Sequence, residues 1–317
     1  QSMLGGAAHL LSFEGSDTLS AGYFAQYRLN GGRPVATSIP ATEHSVMTAY
    51  SSERQAMLST IEAYGDGVFA CVMDSYDYGR ALAEVLPVVA EKKLEKGGYL
   101  VIRPDSGDQV EAVLLGLRAA DRVFGSAVNA KGFRVVQGAS VIQGDGVTSA
   151  SLRRILKAVH EARYSAQSVG FGMGGGLLQK VNRDTMSMAV KLSAITYEDG
   201  TERHLMKFPK EGSEKVSLPG RFAVYADAAQ GGAPVTHRST EEKEGEADLL
   251  RLVYDGGRAL DTSGVWDDFD TVRTRVADQW RRFPLKARAV SEALLEHQRH
   301  VHQQQELSVA GGDAFHQ

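Results

Sequence analysis

The stretch Tyr99-Leu-Val-Ile-Arg-Pro-Asp-Ser-Gly-Asp108 passes from a short apolar run into a polar loop that contains glycine. The run has the length of a buried β-strand, and a helix-like segment at residues 110–124 follows it. The same succession recurs roughly every 30–40 residues, the length of a strand with its crossover helix. The other apolar runs of this kind are residues 35–39, 68–73, 140–143 and 168–171.

Strands that alternate with helices predict a parallel sheet buried on both faces. The unusual polar residues follow the predicted strands directly, where a (β/α) barrel carries its chemistry. A doubly wound open sheet would give a similar pattern, so the periodicity leaves both folds open. We predict helices at residues 53–64, 78–94, 110–124 and 152–160, with Pro87 interrupting the second and Ser149 capping the last.

The pattern changes after Arg183, where residues 186–194 alternate as in a strand. Residues 198–200 predict a turn and residues 204–208 the return strand of a β-hairpin. The remaining predictions are a loop at 209–220, a strand at 221–225, an exposed charged segment at 236–248, and helices within 267–298 broken near Pro284. The predicted division is a barrel at 1–208, a completing segment at 209–298 and a polar, flexible tail at 299–317.

The composition excludes several classes of protein. The 317 residues carry a net charge of -4, so neither nucleic acid nor an anionic membrane is expected as the main partner. There is no apolar stretch of about 20 residues that would predict a membrane-spanning helix. Cys71 is the only cysteine, which excludes a disulfide scaffold, and we expect it to be buried in a protein of the reducing cytoplasm.

The run Gly172-Met-Gly-Gly-Gly176 precedes a helix-like segment, and Arg183 lies shortly beyond it. Glycine lets the backbone approach an anion closely, and a helix start offers free N–H groups. The spacing fits neither a P-loop nor the dinucleotide fingerprint, because Leu177 stands where the fingerprint needs glycine. We interpret the run as a phosphate site; a turn that packs strand against helix is the alternative.

Charged residues after the other strands are candidates for catalysis or binding. Asp105 and Asp145 each lie close to glycine and could grip ribose hydroxyls or Mg²⁺, although Asp and Gly also favour plain turns. Arg103 could stack on a planar ring, bind phosphate or form a structural ion pair. His44 is a candidate base or nucleophile, or a capped surface residue, and Asp74 ends a strand in the same way as Arg103.

Three more charged residues are candidates with simpler alternatives. Asp17 follows a strand-like run, where capping of a helix is the alternative role. Lys191 and Lys207 lie on the predicted hairpin, where charged residues commonly face solvent.

Six motifs between His9 and Pro209 carry a resemblance to a known family. They are His9-Leu-Leu-Ser-Phe-Glu-Gly-Ser-Asp17, Ser38-Ile-Pro-Ala-Thr-Glu-His-Ser45, Asp74-Ser-Tyr-Asp77, Ile102-Arg-Pro-Asp-Ser-Gly107, Ile142-Gln-Gly-Asp-Gly146, and Phe171-Gly-Met-Gly-Gly-Gly-Leu-Leu-Gln-Lys180 with Arg183-Asp184. In this order they resemble the nicotinamide phosphoribosyltransferases. The resemblance implies an irregular TIM-like (β/α) barrel of the type II phosphoribosyltransferase kind, with a β-hairpin and C-terminal helices, and a homodimer with shared active sites.

The resemblance implies a reaction of NAD salvage. Nicotinamide and phosphoribosyl pyrophosphate would give nicotinamide mononucleotide and pyrophosphate, with Mg²⁺ that has no direct protein ligand. ATP would stimulate the reaction by phosphorylating His44, near which Asp74 lies in the family pattern. Asp105 resembles a residue that holds the ribose hydroxyls, and Arg103 resembles the arginine that lines the pyridine pocket.

The remaining contacts with ribose and with the phosphates follow from the same resemblance. Gly144 and Asp145 match the second ribose-binding loop. Gly174 and Gly175, together with Arg183, match the 5′-phosphate site. The pyrophosphate would be held by residues across the dimer interface, namely Lys191 and Lys207.

Asp17 matches the family residue that contacts the carboxamide. A carboxylate accepts a hydrogen bond from –NH₂ but repels –COO⁻, so we expect nicotinamide to be preferred over nicotinate. Two features depart from the family: its N-terminal region with an aromatic clamp is not found before these motifs, and Ala189 stands where a serine is usual. A nicotinate phosphoribosyltransferase and a truncated, non-catalytic module that binds a nucleotide or a partner are the alternatives.

Overall fold

The computed structural model describes residues 1–185, 188–209, 216–241, 243, 245–260, 266–284 and 286–310. The chain forms two compact units. The first comprises Gln1–Arg28 with Gly32–Val181, and the second comprises Leu29–Gly31 with Asn182–Gln317. The predicted boundary at residue 208 therefore lies inside the second unit.

The first unit is built on a parallel sheet. Its strands are β1 (Val68–Val72), β2 (Tyr99–Arg103), β3 (Ser126–Val128), β4 (Arg134–Val136), β5 (Ala139–Gln143) and β6 (Val169–Phe171). The parallel sheet has the order β1-β2-β5-β6, and β3 pairs with β4 in a separate antiparallel ribbon. The polar loops that follow β1, β2, β5 and β6 consequently leave the same edge of the sheet.

The first unit also contains helices. They are α1 (Ser2–His9), α2 (Leu19–Phe24) with a π-helical turn (Ala25–Leu29), α3 (His44–Ala49), α4 (Glu53–Tyr64), α5 (Tyr78–Arg80) with a π-helical turn (Ala81–Val85), α6 (Leu86–Lys96), α7 (Gln109–Phe124), α8 (Ser149–Glu161) and α9 (Gly175–Leu178). The core lies between helices and sheet, where Phe69, Ile102 and Leu117 are fully buried. Each such side chain contributes roughly 1.5–3 kcal/mol through its removal from water.

Most sequence-based predictions for the first unit are confirmed, with two corrections. Residues 35–39 form no strand; Thr37 makes a single bridge to Gly15, and no neighbouring strand extends this pairing among the described residues. The cap of α8 is Thr148 rather than Ser149: its side chain accepts from the Ser151 N–H in a reciprocal capping box. The interruption at Pro87 is confirmed as the π-helical turn just before it.

The second unit consists of short antiparallel pairs and two long helices among the residues that are described. Its strands are β7 (Ala194–Thr196), β8 (Glu202–His204), β9 (Phe222–Asp227), β10 (Ala233–Arg238), β11 (Tyr254–Asp255) and β12 (Arg258–Ala259), and its helices are α10 (Phe269–Arg282) and α11 (Glu292–Ala310). β7 pairs with β8, β9 with β10, and β11 with β12. The predicted turn at 198–200 and the helix break near Pro284 are thereby confirmed, whereas the return strand of the hairpin is Glu202–His204 instead of the predicted 204–208.

Three further predictions for the second unit need correction. The predicted strand at 186–194 begins only at Ala194; residues 188–193 are not paired as a strand, and 186–187 lie outside the described residues. The segment 236–248 is not wholly exposed, because β10 carries His237 into the interior. Residues 299–310 continue α11 instead of forming a flexible tail, and 311–317 lie outside the described part. No described helix is both long and apolar enough to cross a membrane.

Candidate active site

Four of the predicted residues form one cluster at the end of β1 and β2 that faces the start of α3. His44, at the start of α3, directs Nε2 to Oδ2 of Asp105 (3.4 Å) and to Oδ1 of Asp74 (4.0 Å). Its Nδ1 lies 3.0 Å from the hydroxyl of Ser75. Arg103, the last residue of β2, pairs its guanidinium with Oδ2 of Asp105 (3.0 Å). Both ring nitrogens of His44 thus have partners, so the imidazole orientation is fixed, although its side chain is 44% exposed.

Asp74 is the buried member of this cluster. Its side chain is only 3% exposed, and Oδ2 accepts hydrogen bonds from the Asp105 N–H (2.9 Å) and the Ser106 hydroxyl. Its Oδ1 is buried without a hydrogen-bond partner among the described residues. A buried carboxylate oxygen without a donor is costly, which is typical of a functional site.

The loop after β5 presents Asp145 between two glycines. The Asp145 N–H donates to Oε1 of Gln143 (2.9 Å), while the Asp145 carbonyl accepts from the side-chain amide of Gln109. Gly146 has φ +55, a left-handed conformation that glycine adopts without strain. The backbone of Asp145 is therefore held on both sides by side-chain amides.

The glycine run after β6 divides into packing positions and open positions. A Cβ at Gly172 would lie 2.9 Å from Cα of Gly144, and one at Gly176 would lie 2.5 Å from the carbonyl oxygen of Val147. A Cβ at Gly174 or Gly175 would meet nothing within 4 Å, and neither residue has positive φ. Neither packing nor backbone conformation therefore requires glycine at these two positions, whereas close approach of a ligand would.

Asp17 lies in the same unit, beside the segment that leads to β1. Its Oδ1 accepts a hydrogen bond from the hydroxyl of Ser38. Bridges from Thr37 to Gly15 and from Ala41 to Ala70 connect the two segments to β1. The position of Asp17 is thus fixed by its own loop and by the sheet.

The three basic residues predicted to bind phosphates line a single cleft of the second unit. Arg183, Lys191 and Lys207 border a cavity of about 940 Å³, together with Ala189 and Ser217. Arg183 pairs with the neighbouring Asp184 (2.7 Å). Neither lysine has an acidic partner within ion-pair distance among the described residues, so both charges remain available to an anion.

Comparison with known proteins identifies the family. The sequence profile described as the nicotinate phosphoribosyltransferase (NAPRTase) family matches residues 1–216. The chain belongs to this family. The match includes the cluster around His44, the Asp145 loop, the glycine run and the three basic residues of the second unit.

Curated relatives bear the name nicotinamide phosphoribosyltransferase. One from Xanthomonas campestris pv. campestris is 42% identical over 81% of this chain and 56% of its own length. One from Mycoplasma pneumoniae is 33% identical over 68% of this chain and 49% of its own, and one from Acinetobacter baylyi is 28% identical over 88% and 58%. The chain thus spans about half the length of the curated relatives it matches.

A crystal structure of human nicotinic acid phosphoribosyltransferase is also similar. It has 16% sequence identity and a TM-score of 0.46, with 92% of this chain and 66% of that chain covered. The parallel sheet with flanking helices establishes a mixed α/β fold for this member of the family.

Sequence patterns missed several partners in the site. Ser75, Ser106, Gln143 and Ser38 each bond a predicted residue, and three of them adjoin a predicted residue in the sequence, but no spacing rule identifies which hydroxyl or amide meets which loop. Cys71 is fully buried, as predicted, and burial raises the pKa of its thiol to about 12. The thiol consequently stays protonated and is no nucleophile.

The acidic side chains of the candidate site have protein partners. No group of three or more His, Cys, Asp or Glu side chains could hold a metal ion within the described ranges. The acidic residues of the site are instead bonded to His44, Arg103 and backbone N–H groups.

Proposed function

We propose that the chain carries out phosphoribosyl transfer to nicotinamide. Phosphoribosyl pyrophosphate and nicotinamide would give nicotinamide mononucleotide and pyrophosphate, the reaction that the names of its relatives state. The observation that carries this proposal is the cluster of His44, Asp74, Arg103 and Asp105 at the edge of the parallel sheet. The single buried cysteine is consistent with a reducing compartment such as the cytoplasm.

The reaction needs charge complementarity on the ribose. The pyridine nitrogen attacks C1′ as the bond to pyrophosphate breaks, which develops positive charge on the ribose ring. The carboxylates of Asp105 and Asp145 would hold the ribose hydroxyls near the attacking nitrogen, and Arg103 would lie against the pyridine. Gly174 and Gly175 would offer backbone N–H groups to the 5′-phosphate.

The leaving group gains negative charge as the bond breaks. Arg183, Lys191 and Lys207 line one basic cleft, and we propose that they bind phosphate oxygens, the lysines those of pyrophosphate. Mg²⁺ bound by these oxygens would add to the stabilisation of the leaving group. A shared site between two copies of the chain, in a homodimer, and an irregular barrel that extends the parallel sheet complete the proposal.

ATP would act through His44. A phosphoryl group on this exposed imidazole would add negative charge beside Asp105, which could help to hold Mg²⁺ and pyrophosphate. Asp17 would accept the carboxamide –NH₂ of nicotinamide and disfavour the carboxylate of nicotinate.

One assay separates this function from its alternatives. The chain is incubated with Mg²⁺, phosphoribosyl pyrophosphate and either nicotinamide or nicotinate, and the mononucleotide is detected by mass. We expect product from nicotinamide and none with Asp105→Asn, while the exposed control Asp66→Asn keeps wild-type turnover. Product from nicotinate alone would identify a nicotinate phosphoribosyltransferase, and no product from either base would favour a non-catalytic binding module.

A further inference from the structure

Gln143 is a buried polar residue for which the reaction described above has no role. It is the last residue of β5, and its exposed fraction is 0%. Its Oε1 accepts the Asp145 N–H at 2.9 Å. Because that partner is a donor, the oxygen and not the nitrogen of the amide must face Asp145.

The same residue also connects two loops through its backbone. The carbonyl of Gln143 accepts the Gly172 N–H at 2.9 Å, at the start of the glycine run. Gly172 lies so close to Gly144 that a Cβ would approach its Cα to 2.9 Å. Gln143 therefore bonds both the Asp145 loop and the loop of Gly174 and Gly175.

The side-chain nitrogen of Gln143 is buried and has no hydrogen-bond partner among the described residues. A buried amide N–H without a partner costs stability, and an apolar side chain of similar shape would avoid this cost. Packing alone thus favours methionine or leucine at this position. The presence of glutamine at this position is explained by its side-chain oxygen, which accepts the hydrogen bond from the Asp145 N–H.

We propose that Gln143 is a positioning residue for the ribose-binding carboxylate of Asp145. It acts by holding the backbone of the 144–146 loop in the conformation that directs this carboxylate to the ribose hydroxyls. Gln109 holds the opposite side of Asp145 through the carbonyl, so the two side-chain amides hold the peptide units on either side of the Asp145 Cα. This role rests on the proposed function, because it assumes that Asp145 contacts the phosphoribosyl group.

Two variants of Gln143 test the role by kinetics. Gln143→Met removes the acceptor while it keeps the approximate shape, and loss of one such hydrogen bond should raise the KM for phosphoribosyl pyrophosphate about tenfold with a smaller change in kcat. Gln143→Glu keeps an acceptor oxygen, so its KM should fall well below that of Gln143→Met. The KM of Gln143→Glu should decrease further as the pH is lowered, because protonation removes a negative charge beside an anionic substrate. The exposed control Gln137→Met should retain the wild-type KM.

A double-mutant cycle tests whether the effect passes through Asp145. In an Asp145→Ala background, Gln143→Met should raise KM less than about twofold, since the group that it positions is gone. Equal effects of Gln143→Met in both backgrounds, or a KM that Gln143→Glu does not recover, would overturn the positioning role. Circular dichroism of each variant separates these outcomes from unfolding.

Hydrogen exchange of the full chain tests the contact without substrate. The Asp145 amide should exchange at least about tenfold faster in Gln143→Met than in wild type or Gln137→Met, and Gln143→Glu should stay close to wild type. Unchanged exchange in Gln143→Met contradicts the inference even if the chain is an active transferase. If the Asp145 amide exchanges faster in Gln143→Met but the wild-type chain shows no turnover, only the proposed function is contradicted. Binding of ribose 5-phosphate, measured by calorimetry, would then replace KM as the readout.

Discussion

At the scale of single residues, the candidate chemistry depends on side chains that are held from two directions. His44 has Ser75 on one ring nitrogen and Asp105 on the other. Asp105 in turn bonds Arg103 through its carboxylate and Asp74 through its backbone N–H. Such mutual constraint fixes geometry within the tolerance that catalysis requires.

The first prediction concerns the response to ATP. His44→Ala removes the proposed phosphorylation site, so ATP should no longer stimulate mononucleotide formation by the chain. Ser75→Ala is the matched control, because it removes the partner of Nδ1 and leaves the imidazole itself; stimulation should be reduced but retained. Initial rates with and without ATP measure both. Full ATP stimulation of His44→Ala would show that another group is phosphorylated.

The second prediction concerns the choice of base. Asp17→Ser removes the carboxylate that we propose to repel nicotinate, so the ratio of kcat/KM for nicotinamide over nicotinate should fall at least about tenfold. Ser38→Ala removes the hydroxyl that donates to Asp17 and keeps the charge, so it should preserve the preference. Competition of the two bases in one reaction gives the ratio. An unchanged preference in Asp17→Ser would assign base selection to other residues.

At the scale of elements, the sheet edge and the glycine run decide where chemistry is possible. The parallel order β1-β2-β5-β6 brings three polar loops and the glycine run to one edge. Within the run, position 176 must be glycine because a Cβ there would collide with the carbonyl oxygen of Val147, whereas a Cβ at Gly175 would meet no atom within 4 Å. The sequence presents these glycines as equivalent, and only their surroundings distinguish packing from binding.

The third prediction uses this difference. Gly175→Ala should leave the unfolding midpoint nearly unchanged, because a Cβ at this position meets nothing within 4 Å. It should weaken binding of phosphoribosyl pyrophosphate about tenfold, because the methyl group would occupy space beside the backbone N–H groups of Gly174 and Gly175. Gly176→Ala should lower the free energy of unfolding by roughly 1–3 kcal/mol through overpacking against Val147. Urea unfolding and calorimetry measure the two effects. A reversed pattern would place the phosphate elsewhere.

At the scale of the whole molecule, the two units differ in what holds them together. The first has a sheet core of fully buried apolar side chains. The second joins β8 to α11 through His204, whose Nδ1 lies 2.7 Å from Nε2 of His297. One ring must donate and the other accept, so protonation of the accepting nitrogen breaks this bond.

The fourth prediction follows from the pKa of His297. Burial, with smaller effects from Arg238, His204 and His300, lowers this pKa below its ordinary value of 6.5. The unfolded chain therefore binds more protons below that pH, and the second unit should lose stability as the pH falls from about 6.5 towards the folded pKa. Urea unfolding between about pH 5 and 7.5 measures this loss.

His297→Gln should flatten this pH dependence in the second unit. His160→Gln, on an exposed position of the first unit, is the control and should leave it intact. A pH profile of His297→Gln that matches wild type would show that other groups cause the loss of stability.

The sequence by itself determined the strands at 68–73, 99–102, 140–143 and 168–171, the helices between them, and the residues that follow each strand. These features depend on local hydrophobic periodicity and on side-chain chemistry, which one chain segment carries alone. It also determined the family resemblance, because the motifs are contiguous. The candidate residues His44, Asp74, Arg103 and Asp105 were predicted at separate positions. Their proximity was expected from parallel topology and, for His44 and Asp74, from the family pattern.

The tertiary structure decided which groups meet. Ser75 at His44, Gln143 at Asp145 and Thr148 at the start of α8 were chosen by geometry, since several residues nearby could have donated or accepted equally well. The apolar run at 35–39 had strand-like composition, but a strand also needs a neighbour with free N–H and C=O groups, and only one bridge forms there. Hydrogen-bond partners far apart in the chain are fixed by packing, so local sequence cannot specify them.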